Sequence, residues 1–159
     1  MEKTLVLIKP DAVARGLVGE ITSRFEKRGL QLTQLKMTMA DKELLDLHYS
    51  DLVQKPYYPD ICRSMTEGPL VAQVWLGLNA VHVVRTMLGG TDPLRAQPGT
   101  IRGDLALHVG RNVCHASDSV HNAEKEILLW FGDEPQHDSR RVVDELIYRE
   151  TDFQPTGFS

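Results

Sequence analysis

The chain opens on an unbroken apolar run, Thr4-Leu5-Val6-Leu7-Ile8, which stops at Lys9-Pro10. Such a run with β-branched members predicts a central strand covered on both faces, ended by Pro10. The period then changes. Val18, Ile21 and Phe25 fall on one helical face, Glu20 and Arg24 pair at i,i+4, and Gly29 stands where a left-handed C-terminal cap belongs. Leu30, Leu32, Leu35 and Met37 predict a second strand, after which Asp41 can cap a short helix carrying Leu44, Leu45 and Leu47. Beyond the Pro- and Tyr-rich stretch Lys55-Pro56-Tyr57-Tyr58-Pro59, residues 61–67 predict a short helix and 70–76 a third strand. Asn79 offers an N-cap to a helix with Ala80, Val83, Val84, Met87 and Leu88 facing inward, ended by Gly89-Gly90. Residues 91–104 show little periodicity and two prolines, which predicts a long functional loop. A strand-like pattern returns over 105–115. Ser119 or Asp118 then caps a last helix with Val120, Ala123, Ile127 and Phe131 on its buried face.

Two strand-helix-strand units in this order predict an α/β (α+β) fold. It is a ferredoxin-like βαββαβ sandwich with an antiparallel sheet, an inserted helical hairpin and a long loop suited to phosphate. A length of 159 residues fits one core, placed here at residues 1–149, with 150–159 as a tail that wraps the surface or a neighbouring subunit. Composition narrows the function more than the fold. With 42% hydrophobic and 25% charged residues the chain matches ordinary globular proteins, so disordered and fibrous classes lose support. A net charge of -4 has the wrong sign for gripping a nucleic-acid backbone, and 6% aromatics argue against a stacking platform for RNA. The first apolar run is too short for a signal or membrane segment, and two cysteines, Cys62 and Cys114, suit a reducing compartment, so a cytoplasmic protein is expected.

The densest polar cluster, Arg111-Asn112-Val113-Cys114-His115-Ala116-Ser117-Asp118-Ser119, falls where a strand gives way to a helix. Free N–H groups and the positive end of the helix dipole make such a junction a natural phosphate site. Taken bare, His115 is one of six histidines, and a histidine at a strand end is more often structural than nucleophilic. Cys114 beside it suggests a thiol-imidazole pair, yet adjacent strand residues point to opposite faces, which removes that reading.

Asn112-x-x-His115-x-Ser117-Asp118-Ser119 resembles the active-site signature of the nucleoside diphosphate kinases. Ile8-Lys9-Pro10-Asp11, residues 15–20, His48-Tyr49, residues 98–104 and Ala123-Glu124-Lys125-Glu126-Ile127 are similar to blocks of that family in the same order, and the resemblance covers residues 3 to about 133. It implies ping-pong transfer of the terminal phosphate of a nucleoside triphosphate, typically ATP, to a nucleoside diphosphate through a phosphohistidine at His115. Glu126 then orients the other imidazole nitrogen and Ser117 supports Glu126, although on the residues alone either could be a solvated helix position or a cap. The same resemblance assigns phosphate handling to Arg85, Thr91 and Arg102 with Lys9 and Tyr49 beside them, and the sugar to Lys9 and Asn112. It stacks the base between Tyr57 and Val109, and it implies Mg²⁺ held mainly by the nucleotide with water-mediated help from Asp118. Nucleoside di- and triphosphates are the expected partners and a tetrameric or hexameric homo-oligomer the expected assembly, with neither a membrane nor a specific nucleic acid.

The departures from the family pattern are few. Ala116 stands where glycine is usual, and a positive φ there costs an alanine about 1 to 2 kcal/mol. Tyr57 replaces a usual phenylalanine, Gly90 an acidic residue, and the segment after Phe131 has no match. A catalytically dead binding module is the competing reading, but His115, Lys9, Arg102 and Asn112 are all present.

Overall fold

The computed structural model describes residues 1–153. Four antiparallel strands, β1 (Glu2–Ile8), β2 (Gln31–Thr38), β3 (Leu70–Gly77) and β4 (Cys114–Ala116), lie in the order β2-β3-β1-β4. The chain adds α1 (Pro10–Ala14), α2 (Val18–Lys27), α3 (Lys42–His48), α4 (Tyr58–Thr66), α5 (Ala80–Leu88), α6 (Ile101–Leu105) and α7 (Val120–Phe131). Helices α3 and α4 are the inserted hairpin between β2 and β3, so the ferredoxin-like order with its antiparallel sheet is present.

Strand β1 explains the opening apolar run. Leu5 to Ile8 have no exposed surface, with Val6 and Ile8 packed among α2 and α5 residues and Leu5 and Leu7 among those of α3, α4 and α7. The sheet therefore divides two apolar layers, and alternation along one strand feeds both. Local signals set the helix ends: Asp41 accepts from Leu44 N at 2.8 Å, Ser119 accepts from Asn122 N at 3.1 Å, and Gly29 takes a φ of +102° after α2. Of the two residues offered as a cap for α7, Ser119 is the one used.

Three expectations are corrected. Asn79 sits at the N-cap of α5 with φ 50° and makes no side-chain cap bond; Glu2, from the far end of β1, accepts from Val81 N at 3.0 Å instead. The strand expected over 105–115 shrinks to Cys114–Ala116, because α6 occupies 101–105 and a tight turn joins His108 to Arg111. The hairpin's second helix spans Tyr58–Thr66 rather than 61–67, since Pro59 suits a first turn. Helix α1 is an addition to the expected elements and begins at Pro10 itself, where a proline suits the first helical position.

Past α7 the chain runs back along β2. His137 N donates to Thr33 O at 3.0 Å, and the Gln34 side chain donates to Glu134 O at 2.9 Å. Buried Asp144 is satisfied by the Arg141 backbone and guanidinium, which also reaches Gly29 O at 3.1 Å. Residues 150–153 form one 3-10 turn, and the rest of the expected tail, 154–159, lies outside the described residues.

Candidate active site

Strand β4 carries His115 between two buried neighbours, Cys114 and Ala116, so alternation turns the imidazole away from the layer that takes the thiol. Burial pushes the Cys114 thiol up to about 12, which leaves it protonated and inert. Before the strand, Val113 adopts φ 65°, a left-handed conformation that is a clear outlier for a β-branched residue. Its carbonyl accepts from Lys9 N at 2.8 Å, and Cys114 N closes a tight turn onto Asn112 O at 2.8 Å. The strain therefore falls at the corner that aims Asn112 and His115 from adjacent backbone. Ala116 is different: it lies in β4 opposite Val6 and is not among the residues of positive φ, so the penalty considered for it does not arise.

The geometry around His115 is specific. Its Nε2 lies 3.0 Å from Glu126 Oε2, and Ser117 Oγ donates to the same oxygen at 2.8 Å. Leu5 N–H donates into Ser117 Oγ at 3.2 Å, so the serine proton is directed at the carboxylate. A carboxylate on Nε2 selects the Nε2–H tautomer and leaves Nδ1 as an unprotonated nitrogen.

All the residues singled out from the sequence except Ser117 line one cleft of about 1200 Å³. Ser117 is fully buried and meets the cleft only through its bond to Glu126. Lys9 donates to Asn112 Oδ1 at 2.7 Å, and Asn112 donates onward to Thr91 O at 3.1 Å, which ties β1, the long loop and the β4 corner together. Burial and the nearby Arg102 lower the Lys9 pKa to about 8. Arg102 is only 8% exposed and spends three N–H groups on the carbonyls of Asn112, Gly89 and Cys114. It is thus a structural tie of the cleft as well as a cation in it. Arg85 reaches Ala116 O at 3.2 Å, and burial with the neighbouring Glu126 raises the Tyr49 hydroxyl, keeping it a neutral donor. Tyr57 and Val109 both line the cleft and are about half exposed, at 51% and 53%.

His48 had a place in the sequence pattern beside Tyr49 but no role. Its ring stands edge-on to His115 at 4.4 Å between centroids, and its Nδ1 accepts from Trp130 Nε1 at 3.0 Å. Burial and the positive potential of His115 and Lys9 lower its pKa to about 2, so it stays neutral. His48, His115 and Glu126 offer three ligand atoms within 4.8 Å of one another. The indole N–H on Nδ1 places the His48 proton on Nε2, however, so neither nitrogen has a lone pair to give, and the group does not suit a metal. Asp118 lines the cleft and accepts from Asn122 Nδ2 at 2.6 Å, and hydrogen bonds from the Asn122 and Ser119 side chains lower its pKa.

An oriented imidazole with one free nitrogen, lining the same cleft as the cations Lys9, Arg85 and Arg102, has the make-up of a phosphotransferase with a histidine nucleophile. Comparison with known proteins agrees. The family model described as nucleoside diphosphate kinase matches residues 2–135. The chain is 57% identical over 130 residues to a nucleoside diphosphate kinase of Emericella nidulans, covering 82% of this chain and 85% of the relative. It is 49% identical over 148 residues to nucleoside diphosphate kinase B of Pongo abelii, covering 93% and 97%. Among solved structures, a halophilic nucleoside diphosphate kinase from Halobacterium salinarum in complex with CDP superposes with a TM-score of 0.90 at 39% identity, over 93% of this chain and 99% of that one. The Encephalitozoon cuniculi enzyme gives 0.89 at 43%, over 93% and 100%. The chain belongs to the nucleoside diphosphate kinase family, and it transfers the terminal phosphate of a nucleoside triphosphate to a nucleoside diphosphate through a phosphohistidine.

Proposed function

We propose that His115 Nδ1 is the phosphoryl acceptor and that the remaining cleft residues divide the work around it. The observation that carries this reading is the chain from Leu5 N–H through Ser117 and Glu126 to His115 Nε2, which leaves Nδ1 with a free lone pair. As Nδ1 attacks the terminal phosphorus, positive charge grows on the ring, and Glu126 stabilises it from the opposite nitrogen. Lys9, Arg85, Arg102, Thr91 and Tyr49 surround the migrating group with cations and donors, which such a transfer needs around its equatorial oxygens. Lys9 and Asn112, already paired, turn their free donors to the sugar. Tyr57 and Val109 take the base between them, and stacking accepts any base because every base has a π-face. The CDP held by the Halobacterium salinarum relative is a ligand of the class expected here.

Family membership implies Mg²⁺. When bound, the ion neutralises the nucleotide's phosphate oxygens. The exposed Asp118 carboxylate, already hydrogen-bonded by Asn122, suits a hard cation that keeps its waters and takes most ligands from the nucleotide. The chain assembles, in this reading, as a tetramer or hexamer. Strand β2 exposes Leu35 and Met37, followed by Met39, at 55%, 62% and 56%, an apolar edge suited to a second copy. Both thiols are free, in keeping with a reducing compartment such as the cytoplasm, and among the described residues no helix is long and apolar enough to cross a membrane.

Incubation with γ-labelled ATP and no acceptor tests the assignment. An acid-labile, base-stable label is expected on the protein, and His115→Ala or His115→Gln should abolish both label and turnover while nucleotide binding stays within a few-fold. Label surviving in those variants on another of the six histidines would overturn it.

A further inference from the structure

The cleft has two walls that belong to different parts of the chain. One is α4, with Tyr57 at its N-terminal end and Ile61 and Ser64 along it; the other is the turn 108–111, with Val109 at its tip. The turn is stiff, since Arg111 N donates to His108 O at 2.9 Å and Gly110 N to His108 Nδ1 at 3.0 Å, and it leads straight into buried Asn112. Helix α4 is held at its start, where Tyr58 donates to Asp46 of α3 at 2.7 Å, and by the burial of Tyr58 and Met65. At its other end stands Glu67, the C-cap, and the Glu67 carboxylate is paired with the Arg111 guanidinium across the cleft. Among the described residues this is the one polar side-chain contact between α4 and the turn.

The placement of Glu67 is informative. A carboxylate at a helix C-terminus faces the negative end of the dipole, where a cation is favoured, so local helix chemistry does not explain it. A guanidinium arriving from the opposite wall does. Both residues line the cleft, Glu67 side chain 34% exposed and Arg111 53%.

We propose that Glu67 and Arg111 are positioning residues, a cross-cleft tie that sets the spacing of the base slot and thereby nucleotide affinity. The inference rests on the assignment of Tyr57 and Val109 as the slot walls. The tie touches neither His115 nor the cations around it, so it acts on binding and leaves the transfer step to the residues already named. A partly exposed pair is modest, and salt screens it. Its removal is expected to raise KM about two- to fivefold for purine and pyrimidine diphosphates alike, by loosening the end of α4 from the turn, with kcat within twofold.

A double-mutant cycle tests the pair. Glu67→Gln and Arg111→Gln should each raise KM, the double variant should be no worse than either, and Arg111→Lys should recover most of the loss. The KM of the unaltered enzyme should rise between low and high salt more steeply than that of either variant. Additive effects of the two changes, a KM unmoved by both, or a loss confined to kcat would overturn the tie. Tyr57→Ala, assayed in parallel, separates the two levels. If it weakens all nucleotides and the Glu67 and Arg111 variants do not, the slot stands and the tie fails; if Tyr57→Ala has no effect, the slot itself is misassigned and the tie falls with it.

Discussion

Replacing Glu126 with glutamine keeps the shape of the carboxylate and removes its charge, which isolates what the charge does for His115. Glu126 Oε2 accepts from both His115 Nε2 at 3.0 Å and Ser117 Oγ at 2.8 Å. Because Leu5 N–H already occupies the serine oxygen, the Ser117 proton has to go to residue 126. Only one amide orientation then works: the carbonyl oxygen must face Ser117 and His115, since the amino group would set donor against donor. With that orientation the ring keeps its tautomer and direction, and the change reduces to a charge-assisted hydrogen bond becoming a neutral one.

The two bonds differ by roughly 1 to 2 kcal/mol, because a hydrogen bond to a charged group contributes about 1.5–3 kcal/mol and a neutral one about 0.5–1.5. The side chains are only 20% and 14% exposed, so solvent screening does not erase the difference. The charge matters most when the imidazole becomes positive in the transition state, so the loss should fall on phosphorylation, at about 5- to 30-fold in rate. The assay is single-turnover labelling of His115 by ATP, with nucleotide affinity measured separately. Unchanged affinity with a rate reduced in that range is expected. A rate equal to that of the unaltered enzyme, or affinity falling in step with the rate, would refute the reasoning, the first by making the charge irrelevant and the second by making Glu126 a prop for the cleft.

Lys9, lowered to about 8, loses its proton as pH rises through that value, whereas bound phosphates pull its pKa back up. Nucleotide binding should therefore weaken above about pH 8 and take up a proton there, measurable by calorimetry in buffers of different ionisation enthalpy; Lys9→Arg should abolish the uptake, and no uptake in the unaltered protein at pH 8.5 would count against Lys9. A Cβ on Gly103 would lie 2.0 Å from Gln97 O, so Gly103→Ala must move backbone beside Arg102. It should cost at least about 2 kcal/mol in denaturant unfolding and most of the turnover, and an unchanged unfolding midpoint would show the close approach to be unimportant. Ala116→Gly should leave turnover within twofold and lower stability by about 0.5–1 kcal/mol, since residue 116 is a strand residue without positive φ. A tenfold gain in turnover would mean that the alanine obstructs the site.

The sequence was most legible where a structural outcome depended on neighbours in the chain. The opening apolar run read as a doubly covered strand because nothing else buries five such residues in a row, and Asp41 and Ser119 cap the helices that directly follow them. Asn79 misled for a physical reason: Val81 N, one of the donors an N-cap there would satisfy, is taken by Glu2 from another strand, a pairing of residues 79 positions apart. The 105–115 pattern misled similarly, since alternation is interrupted by the His108 turn and by Val113 in a conformation that valine disfavours locally. The local turn from Cys114 N to Asn112 O and the tertiary bond from Lys9 N to the Val113 carbonyl hold it there together.

Around His115 the same division holds. That Cys114 and His115 point apart followed from strand alternation alone, and the structure buries the one and turns the other to the cleft. Nothing local could show that Arg102 binds three backbone carbonyls or that His48 is held by Trp130, 82 residues away. Those facts alter what the residues can do. An arginine tied to Asn112, Gly89 and Cys114 fastens three segments of the cleft wall before any ligand arrives, so its removal should collapse structure and charge together. A histidine whose Nδ1 is occupied by an indole can neither bind a metal nor take a proton readily. The ring backing His115 is therefore kept from adding a second positive charge beside the nucleophile as that nucleophile becomes positive itself.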